Sequence, residues 1–154
     1  MSDALNELIE ILSLEQQGAD RFTGRGSHGD GADGTFGGHF LGQATAAALA
    51  TVDDTLTVHS LHAYFIRGGR PGHPIDYDVE RVRDGRSFST RRVRASQDGK
   101  LAFEMIASLT VPADGKVIAA RPPADFDELP APESLPRYAE VMGRFDPPPL
   151  PAEW

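Results

Sequence analysis

The sequence predicts an α+β domain in which an antiparallel sheet wraps around one long apolar helix. Three observations carry that expectation. Residues 38–51 include the run His39-Phe40-Leu41-Gly42-Gln43-Ala44-Thr45-Ala46-Ala47-Ala48-Leu49-Ala50. Alanine is the best helix former, and small side chains nearly all round point to a helix buried against a sheet. Four strand-like runs follow, at 57–67, 75–83, 86–97 and 100–111. Asp84-Gly85 and Asp98-Gly99 sit between the last three runs. Each dipeptide is a two-residue hairpin signal, because both central positions of a type I′ turn need positive φ. The last three strands are therefore expected to form an antiparallel meander.

The other segments follow in chain order. Residues 3–16 read as an amphipathic helix, with Leu5, Leu8, Ile9, Ile11, Leu12 and Leu14 near helical spacing. Ser2 or Asp3 is placed to cap it, and Gly18 lies just past its end. Residues 18–38 are glycine-rich. Phe22 marks a short strand there, and 24–34 reads as a loop. In the last strand Leu101, Phe103, Met105, Ala107 and Leu109 face one way, and Ala102, Glu104, Ile106 and Ser108 the other. From Pro122 onward the composition changes. Nine of the 12 prolines and seven acidic residues lie there against two basic ones, which reads as a linker or tail with one helical turn near 138–142. The expected division is thus a folded domain over 1–121 and a Pro-rich acidic tail over 122–154.

Composition narrows the function. The chain has 154 residues and no cysteine, which excludes disulfides, thiolate metal sites and a cysteine nucleophile. A formal net charge of −8 disfavours nucleic acid as a partner. No apolar run approaches the ~20 residues of a membrane span, and the first residues lack the pattern of a signal peptide, so a cytoplasmic protein is expected. Yet Arg81, Arg83, Arg86, Arg91, Arg92 and Arg94 place six of the 15 basic residues in one 14-residue window. Such a stretch suits a phosphorylated small ligand, or else is a solvated strand face balancing nearby acids.

Several segments, in this order and spacing, resemble the acyl-CoA thioesterase II family. They are Leu12-Ser13-Leu14-Glu15, Phe36-Gly37-Gly38-His39 with Gly42-Gln43-Ala44, and Val58-His59-Ser60-Leu61-His62-Ala63-Tyr64-Phe65. Pro74–Glu80 and Arg83–Arg91 complete the likeness, which covers roughly residues 8–110. The resemblance implies a hotdog fold, for which a sheet wrapped around a single apolar helix is the physical description. It implies hydrolysis of acyl-CoA to a fatty acid and free CoA, with coenzyme A as part of the substrate and no other cofactor. Family members resemble two hotdog repeats in one chain, and this chain resembles the first. The family's Asp, Ser/Thr and Gln trio belongs to the second repeat. Laid over this one, it falls near Ala46, Leu56 and Thr110, none of which is a base. His39 stands where the family usually has Gln.

The candidate site follows from the helix start and this likeness together. Unpaired N–H groups at a helix N-terminus favour developing negative charge, and glycine lets a ligand approach the backbone. Gly38, Gln43 and His59 are therefore the candidate catalytic residues, and Gly37, His39, Ser60, Arg86, Ser87 and Arg91 the candidate substrate contacts. Plainer readings stand beside them: a tight turn at Gly37-Gly38, a mid-helix Gln43 bonded to a neighbouring strand, a hydrogen-bonded core His59. Asp84 reads as a turn residue. A metal at His59 and His62 is not expected, since residues three apart on a regular strand face opposite ways. A dehydratase-like hotdog would need His39 as its base. A binding or scaffold half without chemistry of its own is the main alternative to the enzyme. An isolated hotdog also leaves a sheet edge unpaired, so a homodimer, or pairing with a second hotdog, is expected.

Overall fold

The alanine-rich run forms the central helix because it offers a flat face of small side chains. In the computed structural model, which describes residues 3–27, 34–112, 115, 120, 128–137 and 140–141, helix α2 spans Gly37–Leu49. The helix before it, α1, spans Asp3–Leu12. Phe40, Gln43, Ala44, Ala47 and Ala48 recur at helical spacing and are buried, while Leu49 and Ala50 are exposed. The helix is thus buried along one stripe rather than all round, because the sheet covers one side only.

Among the described residues six strands make one fully antiparallel sheet: β1 (Glu15–Gly18), β2 (Arg21–Gly24), β3 (Thr57–Phe65), β4 (Ile75–Asp84), β5 (Phe88–Gln97) and β6 (Lys100–Thr110). Their order is β1-β2-β4-β5-β6-β3, so β4, β5 and β6 form the expected meander and β1 and β3 are the edges. Helix α2 packs on β2, β3, β4, β5 and β6. On β6, Phe103, Met105, Ala107 and Leu109 are buried as the alternation predicts. Ala102 is buried too, next to an irregularity in the β5–β6 register between Ala95 and Ser96. The face toward α2 is completed by Ile75, Tyr77, Val93 and Ala95. Phe40 of α2 stacks on Phe103 with centroids 5.9 Å apart.

Four local expectations are corrected. The first helix stops at Leu12 rather than 16. Leu14 packs on the core and Glu15 begins an edge strand paired with Thr23. The Asp98-Gly99 turn has the expected positive φ, 50° and 73°, but neither Asp84 nor Gly85 does. Asp84 stays in β4 opposite Ser89, and the loop closes through Gly85 N–H to Phe88 O, at 3.0 Å. That shortens β5, which starts at Phe88. Finally, β3 has a bulge at His59: Val58 pairs Leu109 and Ser60 pairs Ser108. The His59 ring meets Phe88 edge-on at 5.9 Å, and Phe88 alternates with the buried Ser89, so both lie on the face away from α2. The inserted residue reverses the usual alternation. His59 and His62 therefore share a face, contrary to the strand rule. Among the described residues, no group of three or more His, Cys, Asp or Glu could hold a metal ion.

The chain divides into two units, Met1–Asp114 and Gly115–Trp154, so this division falls upstream of the 121–122 boundary drawn from composition. In the second unit one 3-10 turn spans Pro132–Ser134, and Glu140–Val141 are helical. Residues 122–127, 138–139 and 142–154 of the expected tail, and residues 28–33 of the glycine-rich loop, lie outside the described residues. No helix among the described residues is long and apolar enough to cross a membrane. The turn geometry gives a first prediction. Gly99→Ala should cost about 1 kcal/mol, because φ 73° strains any residue with a Cβ. Urea unfolding would read it, and a neutral result would mean the turn is not held in this form.

Candidate active site

Helix α2 starts without a side-chain cap. Phe36 occupies the cap position, and the first-turn N–H groups of a helix have no partner within it. Beneath Gly37 lies a cleft of ≈ 390 Å³ lined by Thr35, Gly37, Phe40, Phe65, Ile66 and the segment 67–69. Two rings press on the glycines. A Cβ on Gly37 would stand 2.8 Å from the Phe65 ring, and one on Gly38 would collide with the Phe36 ring. The space beside these glycines is taken by the protein's own rings, whereas the sequence reading reserved it for a ligand. A second cleft of ≈ 320 Å³, on the other side, runs between α1 and α2 past Leu8, Ile11, Leu12, Phe36, Gly38 and His39.

Gln43 is fully buried and its amide is fully used. Its Nε2 donates to Ile11 O at 2.7 Å and Arg25 O at 3.1 Å, and its Oε1 accepts from the Tyr77 hydroxyl at 2.8 Å. Burial pushes the Tyr77 hydroxyl far above its ordinary pKa, so it stays a donor. Gln43 thus ties α1, the strand end after β2, and β4 to the central helix, and its amide has no donor left to offer a thioester. His39 is buried beside it. Its Nε2 lies 2.7 Å from Arg25 O; a carbonyl only accepts, so that nitrogen carries the proton and cannot serve as a base.

Arg91 departs furthest from expectation. It is 1% exposed and lies on the helix side of the sheet. It donates to Thr51 Oγ1 at 2.8 Å, Thr51 O at 3.1 Å, Arg83 O at 3.1 Å, Thr90 O at 3.1 Å and Asp84 Oδ1 at 2.6 Å. It clamps the C-terminal end of α2 to the β4–β5 hairpin and is not available to a phosphate. The hydrogen bond from Arg91 is the main reason the Asp84 carboxyl is held below the usual range, so Asp84 is a partner in the clamp and not merely a turn residue.

Arg86 and Ser87 are exposed in the β4–β5 loop, where Ser87 O accepts from Thr110 Oγ1 at 2.9 Å. That loop lies at the C-terminal end of α2. The helix has 13 residues and rises 1.5 Å per residue, so the hairpin end lies about 20 Å from Gly37. His59 and Ser60 are exposed on the outer face of edge strand β3. The sites where the family trio would fall, Ala46, Leu56 and Thr110, are partly buried and bring no base together. Gly37 and Gly38, expected at one site, line different clefts: Gly37 the one beside Phe65 and Gly38 the one between α1 and α2. Sequence reasoning missed Phe65, Tyr77 and the segment after β3, whose signal was Arg67-Gly68-Gly69-Arg70 directly behind a strand.

A helix packed along one face of an antiparallel sheet in this strand order defines the hotdog class. A hot dog fold protein of unknown function from Alicyclobacillus acidocaldarius shares that fold, with a TM-score of 0.73 and 19% identity over 90% of this chain and 50% of the other. Residues 25–110 match the family described as acyl-CoA thioesterase N-terminal domain, and the chain belongs to that family. A tesB protein of Mycobacterium avium subs paratuberculosis is 36% identical with a TM-score of 0.74, over 86% of this chain and 50% of that one. Acyl-coenzyme A thioesterase 8 of Mus musculus is 45% identical over 66% of this chain and 32% of its own length. Acyl-CoA thioesterase 2 of Haemophilus influenzae is 41% identical over 75% of this chain and 40% of its own length. The chain thus spans about a third of the length of the mouse relative and half of the mycobacterial structure.

Proposed function

We propose that this chain is one of two hotdog units of an acyl-CoA thioester hydrolase. In that reaction water adds to the thioester carbonyl carbon, the C–S bond breaks, and a carboxylic acid and free CoA leave. The observation that carries the reading is the start of α2, which has no side-chain cap and whose first residue, Gly37, opens to an apolar cleft beside an edge strand. Amide donors aimed at a developing oxyanion supply a few kcal/mol. The acyl chain would lie along the apolar side chains beside α2. Gln43 is not a base, and His39 donates its Nε2–H to Arg25 O, so the general base is either His39 Nδ1 or a group of the second unit.

Strand β3 supports the second unit. Among the described residues its outer edge has no strand partner, and Leu61 and Phe65, which pair the buried Ala107 and Phe103, are 40% and 59% exposed. Free edges of this kind invite another strand. Antiparallel joining of two such edges would set the α2 start of one unit near the Arg86–Ser87 end of the other, with His59 and Ser60 along the seam. The second unit is either a second copy of this chain or a separate hotdog. The lack of cysteine fits a reducing cytoplasmic setting. Fatty-acid metabolism is the corresponding role.

A non-catalytic half that binds acyl-CoA is the second reading, favoured by the commitment of His39 and Gln43. Assay of CoA release from a medium-chain acyl-CoA, with light scattering on the same sample, separates the readings. A dimer with turnover supports a self-paired enzyme. Binding of CoA without turnover supports the half that needs a distinct partner. Turnover by a monomer at micromolar concentration would remove the second unit, and absence of both turnover and CoA binding would end the proposal.

A further inference from the structure

The basic groups nearest the start of α2 are not those of the β4–β5 hairpin. Arg67 and Gly68 line the cleft beneath Gly37 and also a second recess of ≈ 150 Å³, which takes in Arg70, Gln97, Asp98 and Lys100. The recess is built on fixed backbone. Gln97, 5% exposed, accepts from Arg70 N–H at 2.8 Å and donates to Arg70 O at 3.1 Å and His73 O at 2.9 Å. That holds the segment after β3 against the tight Asp98-Gly99 turn.

Its charge is unbalanced. Asp98 pairs with Arg70, and His73 Nδ1 lies 3.4 Å from the same carboxylate. The Arg67 guanidinium donates to the Leu101 carbonyl, an uncharged group. Among the described residues no salt bridge involves Arg67 or Lys100. Three cations, Arg67, Arg70 and Lys100, against one carboxylate leave two positive charges in a chain of net charge −8. By contrast, Arg21, Arg81, Arg91 and Arg92 of the sheet are each paired with an acid.

We propose that the Arg67–Lys100 recess binds the diphosphate end of the ligand whose thioester end enters the Gly37 cleft. This rests on the acyl-CoA reading above and names its phosphate subsite. The two cavities share Arg67 and Gly68, so one extended ligand can occupy both. A guanidinium already held by a carbonyl loses little freedom on meeting a phosphate, and a lysine adds a mobile point charge.

Calorimetry of the full chain with coenzyme A, and separately with pantetheine, tests it. Lys100→Glu and Arg67→Gln should each weaken coenzyme A about tenfold or more. Both should leave pantetheine, which lacks the diphosphate, unchanged. Lys100 is exposed at a turn, and Arg67→Gln keeps a donor for the Leu101 carbonyl, so circular dichroism should show both variants folded; whichever is folded carries the test. Unchanged coenzyme A affinity in these variants overturns the subsite while leaving the thioester reading intact. So does an equal loss for both ligands. A parent chain that binds neither ligand overturns the subsite and the thioester reading together.

Discussion

Replacing Gln43 by leucine is expected to lower stability by about 3 kcal/mol, because buried groups left without partners cost roughly 1–3 kcal/mol each. The variant strands the Tyr77 hydroxyl inside the core, where the side chain is 1% exposed, and removes a donor from Ile11 O. Arg25 O keeps the His39 ring as a partner, which limits the damage there. The melting temperature should fall by about 10 °C for a domain of this size. A double replacement with Tyr77→Phe should cost less than the sum of the single ones, since it removes the stranded hydroxyl together with its lost acceptor. A cost for Gln43→Leu below about 1 kcal/mol would mean that water reaches this network and that Gln43 is not its hub.

Arg91→Met should be comparably severe, at about 3 kcal/mol, the low end for breaking a buried charged network. The low end applies because Asp84 is 58% exposed and can rehydrate when left alone. What cannot rehydrate easily is Thr51, 5% exposed, whose hydroxyl and carbonyl both face the guanidinium. Arg91→Lys should rescue little, because one ammonium cannot span Thr51, Arg83 O and Asp84 at once. The clamp also gives a pH signature. Asp84 has a folded pKa below its unfolded value, chiefly through the Arg91 hydrogen bond. Its contribution is therefore present above the unfolded value near 3.9 and is lost as pH falls through the lower folded value. Urea titrations at neutral pH and near pH 3 should show that acid-side loss in the parent and less of it in Arg91→Met. An identical acid loss in both would assign it to other carboxylates.

The two Asp-Gly turns show how local and tertiary information divide. Both dipeptides carry the same signal. Asp98-Gly99 adopts the positive-φ turn, whereas Asp84 stays in β4 with its carboxylate on Arg91. Nothing in the four residues around Asp84 announces that a buried arginine seven positions on will hold it. The bulge at His59 is similar. Strand periodicity puts His59 and His62 on opposite faces, and one inserted residue puts them on the same one. Arg91 was read as a phosphate contact from its place in an arginine-rich window. Charge counting along the chain does not distinguish the buried face of β5 from the exposed one.

The residues alone determined the elements and most of their hydrophobic phase: an alanine-rich helix apolar nearly all round, a meander with alternating faces, and glycines where the helix begins. These are short-range consequences of backbone sterics and side-chain size, so they are readable from neighbours in the chain. Only the folded arrangement decided which polar groups are spent and which are open to a ligand. Gln43, His39 and Arg91 are consumed by partners as many as 40 residues away, while Arg67 and Lys100 meet beside the Gly37 cleft. Burial and hydrogen-bond satisfaction depend on what packing brings together, and that information lies in distant segments.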